Sequence, residues 1–219
     1  MLPWRIKNFF SNYFPYLYHK IINLGIAVNS EEYWDEIYLR EWDSLKRVWP
    51  TKNKLLKEKI QVTDAVLDIA CGTGSILRYL KENGYNDLYG TEISDLCVKR
   101  LENLGIFMTK SLLPKIEYQD DSFDSVIASQ ILEHIVKRGD FMREIKRVMK
   151  PQGQCFLFVP DDCLGPIDEP SHVVKFNHNT LAKLIGRYFH DFTIKSIKDE
   201  NFEIPILYVH IQGKEGPSP

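Results

Sequence analysis

Residues Val66 to Gly74, reading VLDIACGTG, constrain the fold of this chain more than any other stretch. The apolar run from Ala65 through Ala70 is too short for a helix and rich in branched residues, as expected of a strand buried on both faces. Strands buried on both faces belong to parallel sheets covered by helices. Ile76, Leu77 and Leu80 follow at helical spacing, so the segment reads as strand, glycine turn and helix. Gly72 and Gly74 permit close backbone approach, and the free amides and dipole at the start of the helix favour a nucleotide-like ligand.

The same alternation continues along the chain. Ser30 reads as the cap of a helix with Glu31 and Glu32 in its first turn, running to about Trp49 before Pro50, and a second helical piece covers Lys54 to Ile60. The first of these carries Trp34, Ile37, Tyr38, Leu45 and Val48 on one face. Asn83-Gly84 ends the helix after the glycine turn, and Leu88 to Ile93 forms the second strand. Ser94 then caps a helix whose Cys97, Leu101 and Leu104 share a face. A brief strand at 106–108, an irregular loop through Pro114 and a strand at 123–129 come next. The helix expected over 139–150 puts Phe141, Ile145 and Val148 inward and Arg143, Lys146 and Arg147 outward. Pro151-Gln152-Gly153 stops it, and Gln154 to Val159 is a strand. A late helix from about Thr180 to Tyr188 precedes two strands, near 193–198 and 204–211, with no room for a helix between them. The expected fold is therefore α/β, Rossmann-like and doubly wound, with a mostly parallel seven-stranded sheet whose last strand is antiparallel.

Three regions are expected: an aromatic and basic arm or lid over 1–30, the main domain over 31–212 and a flexible tail over 213–219. The arm holds Trp4, Phe9, Phe10, Tyr13, Phe14, Tyr16 and Tyr18 beside Arg5, Lys7 and Lys20, with no acid before Glu31. Such a segment suits packing as a lid or against a second copy in a homodimer, and also peripheral contact with a membrane surface. Lys and Arg number 28 against 30 Asp and Glu, without a long basic run, which argues against a nucleic-acid partner. The four cysteines, Cys71, Cys97, Cys155 and Cys163, are scattered, and no signal peptide or membrane-length apolar run is present, so a reducing, cytoplasmic setting is expected.

Four elements in order, VLDIACGTG at 66–74, Glu92 at the end of the second strand, DSFDSVIASQILEH at 121–134, and a helix followed by Pro151-Gln152-Gly153-Gln154 and a strand, resemble the class I S-adenosylmethionine (SAM) dependent methyltransferases that act on small molecules. The resemblance, type 11-like, extends from about Glu32 to Ile211. It implies a transferase that binds SAM, yields S-adenosylhomocysteine (SAH), and methylates an oxygen, less readily a nitrogen, of a small or lipid- or sugar-linked acceptor. Gly72 and Gly74 would pass against the methionyl and ribose parts, Asp68 would serve the ammonium group, and Glu92, with Ile93 beside it, would take the ribose hydroxyls. Leu112 stands where many relatives carry an adenine-binding aspartate, leaving Ser111 and the backbone around Leu112 for the base. Ser129 and Tyr33 complete the expected cofactor set. A nicotinamide enzyme is the competing reading, but its fingerprint needs glycine where this chain has Leu77. A methyltransferase fold kept only for binding is the third, and intact Asp68, Gly72, Gly74 and Glu92 count against it.

The sulfonium supplies the activation, so the protein must supply placement and water exclusion, with a base needed only for a hydroxyl acceptor. His134 is the leading candidate base, with His172 facing the acceptor; a purely structural role for Glu133-His134 is equally in view. Some relatives hold a metal on Glu-x-x-Glu-His or Glu-x-x-His-His at this segment. Gln130 replaces the first glutamate here, so no metal is expected, and the alternative would be a site of Glu133, His134 and His172.

Overall fold

The computed structural model describes residues 29–45, 48–161, 171–200 and 202–214, together with Ile6, Phe9, Phe10, Tyr13, Phe14 and Leu17. The rest of the arm, the stretch 162–170 with Cys163, and the last five residues lie outside the described residues. The described helices are α1 (Glu31–Leu45), α2 (Pro50–Lys59), α3 (Ser75–Glu82), α4 (Asp95–Glu102), α5 (Arg138–Val148) and α6 (His178–Ile185). The strands are β1 (Val66–Ile69), β2 (Leu88–Glu92), β3 (Phe107–Lys110), β4 (Phe123–Ser129), β5 (Met149–Pro160), β6 (Phe192–Asp199) and β7 (Phe202–Gln212). They form one seven-stranded sheet in the order β3-β2-β1-β4-β5-β7-β6. β7 runs antiparallel to both β5 and β6, whereas the other pairings are parallel, as expected from the sequence.

The alternation of side chains along β1 explains the two cores. Leu67 and Ile69 enter a cluster with Phe141, Ile145 and Val148 of α5. Val66 enters the opposite cluster with Leu56 of α2 and Ile76, Leu77 and Leu80 of α3. A strand that feeds two apolar layers must be apolar at nearly every position, and all four β1 residues are buried. Asp68, 2% exposed, is the exception to that chemistry.

Several boundaries differ from the sequence reading. Pro50 opens α2 as its first residue, so the piece expected from Lys54 begins four residues earlier; proline needs no helical donor there and its fixed φ suits the position. The helix expected to reach Trp49 ends at Leu45, with a non-helical residue at Glu41 (φ −118°, ψ 18°). β3 is displaced to 107–110, β5 begins at Met149 rather than after the proline, and α6 begins at His178 and ends at Ile185. Asn177 caps α6 in a reciprocal pair with Thr180, placing His178 in the first turn as a neighbour of the cap. Leu104 is 39% and Val48 62% exposed, so neither belongs to the buried face assigned to it. Arg147 is not a solvated outward charge: its guanidinium donates to the carbonyls of Ile116 and Tyr118 and to Glu144 and Asp120.

Gly74, the cap of α3, has φ +71°, and a Cβ there would lie 2.4 Å from Cδ2 of Leu101. Gly84 is also left-handed, at φ +90°, but a Cβ there would meet nothing within 4 Å. Gly74→Ala is therefore expected to cost the left-handed penalty of ~1–2 kcal/mol plus an overpacking cost of ~1–3 kcal/mol. Gly84→Ala should show only the first component, and urea unfolding of the two variants measures the difference.

Candidate active site

The strand order reverses between β1 and β4, which leave in opposite directions toward β2 and β5. In open α/β sheets the crevice beyond the carboxyl ends of such a pair is where ligands bind. Both strands turn sharply on leaving the sheet: Ala70, directly after β1, has φ +53°, and Gln130, directly after β4, has φ +56°. Left-handed backbone at two non-glycine residues costs about 1–3 kcal/mol each and here opens the crevice. The Ala70 amide is held by Thr91 Oγ1 at 3.2 Å and the Gln130 amide by the Phe158 carbonyl at 2.8 Å.

Two cavities meet there. One, of about 580 Å³, is bounded by Glu92, Ile93, Ser111, Leu112 and Ile131. The second, of about 530 Å³, is bounded by Asp68, Gly72, Ser129, Tyr33, Trp49 and His172. Trp34, Tyr38, Ala70, Gln130 and His134 line both and form the partition. The residues expected to bind a cofactor are thus distributed over two adjoining cavities, with Gly74 outside the lining and serving the turn.

Glu92 is buried, and its carboxylate is fixed by three backbone donors. Gly72 N–H lies 2.8 Å from Oε2, and Ile93 and Ser94 N–H lie 2.9 and 3.3 Å from Oε1. Burial raises its pKa and these donors oppose the rise. Asp68 has no such support on both oxygens: Oδ1 is buried without a hydrogen-bond partner. Burial pushes its pKa up to about 8, against the pull of Lys52 and with the push of Glu92. An orphaned buried carboxylate oxygen beside a cavity is a site for a cationic group, and the carboxylate of Glu92 has lone-pair capacity for hydroxyl donors. SAM carries an ammonium group and ribose hydroxyls, so these residues fit it. Of the residues expected near adenine, Leu112 is 71% exposed and Ser111 is buried, its amide donating to the Glu92 carbonyl at 3.0 Å.

The covering helix α1 brings to the crevice Tyr38, which the sequence reading placed on a packing face, beside Trp34, for which stacking on a cofactor and packing were both in view. Trp34 and Tyr38 stack with centroids 5.8 Å apart, and the edge of Trp34 meets His134 at 5.8 Å. A Cβ at Gly72 would come within 3.0 Å of Tyr38 Oη, so this glycine, at φ +55°, also makes room for the covering helix. Asp35 accepts a hydrogen bond from Ser94 Oγ, and the Trp42 ring lies 4.0 Å from the Arg100 guanidinium, which together fasten α1 to α4.

His134 and His172, far apart in sequence, are brought together with ring centroids 4.8 Å apart. His134 Nδ1 lies 3.1 Å from the Ser171 carbonyl, a geometry in which Nδ1–H donates and Nε2 keeps the lone pair. Packing and the neighbouring His172 depress the His134 pKa to about 3, so its imidazole is neutral near physiological pH. Donor atoms of Glu133, His134 and His172 all lie within 4.8 Å of one another, so the cation alternative weighed from the sequence has its residues adjacent.

Lys52 and Gln130 escaped the sequence reading as site residues. Lys52 is fully buried on α2, a position with no motif to mark it, and its Nζ donates to Ser129 Oγ at 3.0 Å. Gln130 has a buried Nε2 without a partner at the junction of the cavities. The signal for Gln130 was its place directly after a strand's carboxyl end.

Residues 67–157 match the family model described as a methyltransferase domain. The chain is 28% identical over 120 residues to probable tRNA methyltransferase 9B of Homo sapiens, covering 53% of this chain and 26% of that protein. It is 28% identical over 124 residues to the ubiquinone biosynthesis O-methyltransferase of Rickettsia bellii, covering 52% of this chain and 51% of that one. The chain thus spans about a quarter to a half of these relatives. Among solved structures, a SAM-dependent methyltransferase from Aquifex aeolicus superposes with a TM-score of 0.64 at 17% identity, covering 81% of this chain and 98% of that one. That likeness is one of fold.

Because burial raises the Asp68 pKa from its ordinary value to about 8, the folded protein binds more protons than the unfolded chain between about pH 4 and 8. Stability therefore falls as pH rises through that window. Asp68→Asn removes this loss. Chemical denaturation should show the variant gaining on the parent from pH 5 to 8 and holding a constant lead above it.

Proposed function

We propose that this chain, with its methyltransferase-domain match over residues 67–157 and its seven-stranded fold, is a class I SAM-dependent methyltransferase whose acceptor is an oxygen of a small or lipid- or sugar-linked molecule. The observation that carries this reading is the pair of cavities joined at His134, one beside Glu92 and the other bounded by aromatic rings. The nicotinamide alternative falls with the methyltransferase-domain match.

When bound, SAM supplies an electrophilic methyl group on a sulfonium. Glu92 would hold the ribose hydroxyls with a carboxylate already oriented by Gly72, Ile93 and Ser94. Asp68 would pair with the ammonium group, which draws its buried carboxyl into the charged form. Ser111, with backbone around Leu112, would border the base. Tyr33, Trp34 and Trp49 offer flat apolar walls to an acceptor and keep water from it. His134 would take the proton that a hydroxyl acceptor loses, at Nε2. An imidazole with so low a pKa is a weak base, yet a hydroxyl oxygen gaining a methyl becomes a strong acid, so a weak neutral acceptor suffices.

The ubiquinone-pathway relative, an O-methyltransferase by name, supports an oxygen acceptor. The tRNA methyltransferase relative supports a second reading, transfer RNA as acceptor. The net charge of −2 weighs against it, since a phosphate backbone is held by clustered cations. Among the described residues no helix is long and apolar enough to cross a membrane.

Incubation with methyl-labelled SAM and separate metabolite, lipid and RNA extracts is expected to label the first or second; label confined to RNA would replace this reading. His134→Ala should lower kcat by about 10²-fold or more while changing SAH affinity little. With a His134 pKa near 3, the kcat profile should show no limb from this residue between pH 5 and 8. A limb near pH 6.5 that disappears in the variant would assign the base a different environment. Turnover is expected to persist after exhaustive chelation; loss restored by one divalent ion would place a cation on Glu133, His134 and His172.

A further inference from the structure

Lys52 is 0% exposed, an unusual state for lysine, and it lies at the place where the strand order reverses. Its Nζ sits 3.5 Å from the centroid of the Trp49 ring and 5.5 Å from that of Phe158, and donates to Ser129 Oγ at 3.0 Å. Ser129 pairs with Phe158 across β4 and β5, and Asp68 with Ile127 across β1 and β4. Since side chains alternate in strands, Asp68, Ile127, Ser129 and Phe158 share one face of the sheet, the face that Lys52 covers. The backbone at Lys52 is anchored independently of its ammonium: the first amides of α2, from Thr51 and Lys52, donate to Asp199 Oδ2 at 3.1 and 3.2 Å. The stem is thus held by the fold while the charge is delivered to the crevice floor.

A buried ammonium among aromatic rings needs a compensating charge, and a buried carboxylate needs the same. We propose that Lys52 is a positioning residue for cofactor binding: held beneath Trp49 and bonded to Ser129, it is the buried counter-charge that keeps Asp68 available as an anion for the ammonium group of the ligand. It acts through Asp68 and Ser129, both on the cavity wall, and lies behind them itself. The groups that act on Asp68 are Lys52 from α2, which favours the anion, and Glu92 from β2, which opposes it, while the neighbouring Cys71 thiol is held neutral. His134 and His172 line the same cavity. Without Lys52, burial and Glu92 remain, and both disfavour the charged carboxylate.

This inference rests on the SAM-binding reading, and SAH binding by the parent protein tests that reading separately. Lys52→Met keeps an unbranched apolar stem beneath Trp49 and removes the charge. Titration calorimetry with SAH as probe at pH 7.5 should show about tenfold weaker binding, the effect of a shift of one unit in a neighbouring carboxyl. In the Asp68→Asn background the same substitution should change affinity less than twofold. The pH at which affinity reaches half its plateau should rise by one unit or more in Lys52→Met relative to the parent, with thermal melting confirming a folded variant. Unchanged affinity in Lys52→Met, or losses that multiply fully in the double variant with no displacement of the pH profile, would overturn the assignment and leave Lys52 a packing residue. Absence of SAH binding by the parent would instead overturn the cofactor reading.

Discussion

The carboxylate of Glu92 is the interaction on which the site depends. It accepts from Gly72 in the turn after β1, and from Ile93 and Ser94, where β2 passes into α4. One side chain therefore ties the glycine turn to the junction of β2 with α4, two segments 20 positions apart. Its burial carries an electrostatic cost, and the three donors offset that cost by aligning N–H dipoles on it. The same bonds that make the group tolerable also leave it oriented, so a ligand hydroxyl would meet an acceptor that needs no reorganisation.

The lower half of the crevice is organised on a different principle. Asp68 lacks a partner on one buried oxygen and sits near a lysine rather than among backbone donors. Its charge is conditional, whereas that of Glu92 is supported from the backbone. The contrast follows from position: Glu92 ends its strand and is adjacent to the free amides that open a helix, while Asp68 lies inside a strand whose own amides are committed to the ladder.

Much of this was legible in the sequence because it depends on local patterns. Strand length, glycine placement, the cap at Ser94 and the acid at position 92 are each read within a few residues, and together they define the sheet and the glycine turn. The residues that were missed owe their roles to contacts across the chain. Lys52 carries no local mark, and only the fold sets its ammonium against Ser129, 77 positions away. Tyr38 looked like one aromatic on an amphipathic helix; its place over Gly72 depends on the angle at which α1 crosses the sheet. The pairing of His134 with His172 was anticipated as chemistry, but the low pKa of His134 comes from packing that no spacing rule contains. Helix ends near Pro50 and Pro151 were misjudged for a related reason: proline limits what precedes it, yet Pro50 opens a helix and Pro151 lies in β5 where its register with β4 shifts.

The contact of Asp199 with the start of α2 has a consequence in time as well as in space. Asp199 ends β6, and its carboxylate holds the amides of Thr51 and Lys52, 148 and 147 positions earlier. A chain emerging from its amino end can form β1, the glycine turn and Glu92 while the residues that seat α2 have yet to be made. Contacts of such long sequence separation are slow to form and are made late. The floor of the crevice is therefore completed by the last hairpin, and a partly built chain has β1, the glycine turn and Glu92 before the start of α2 is anchored.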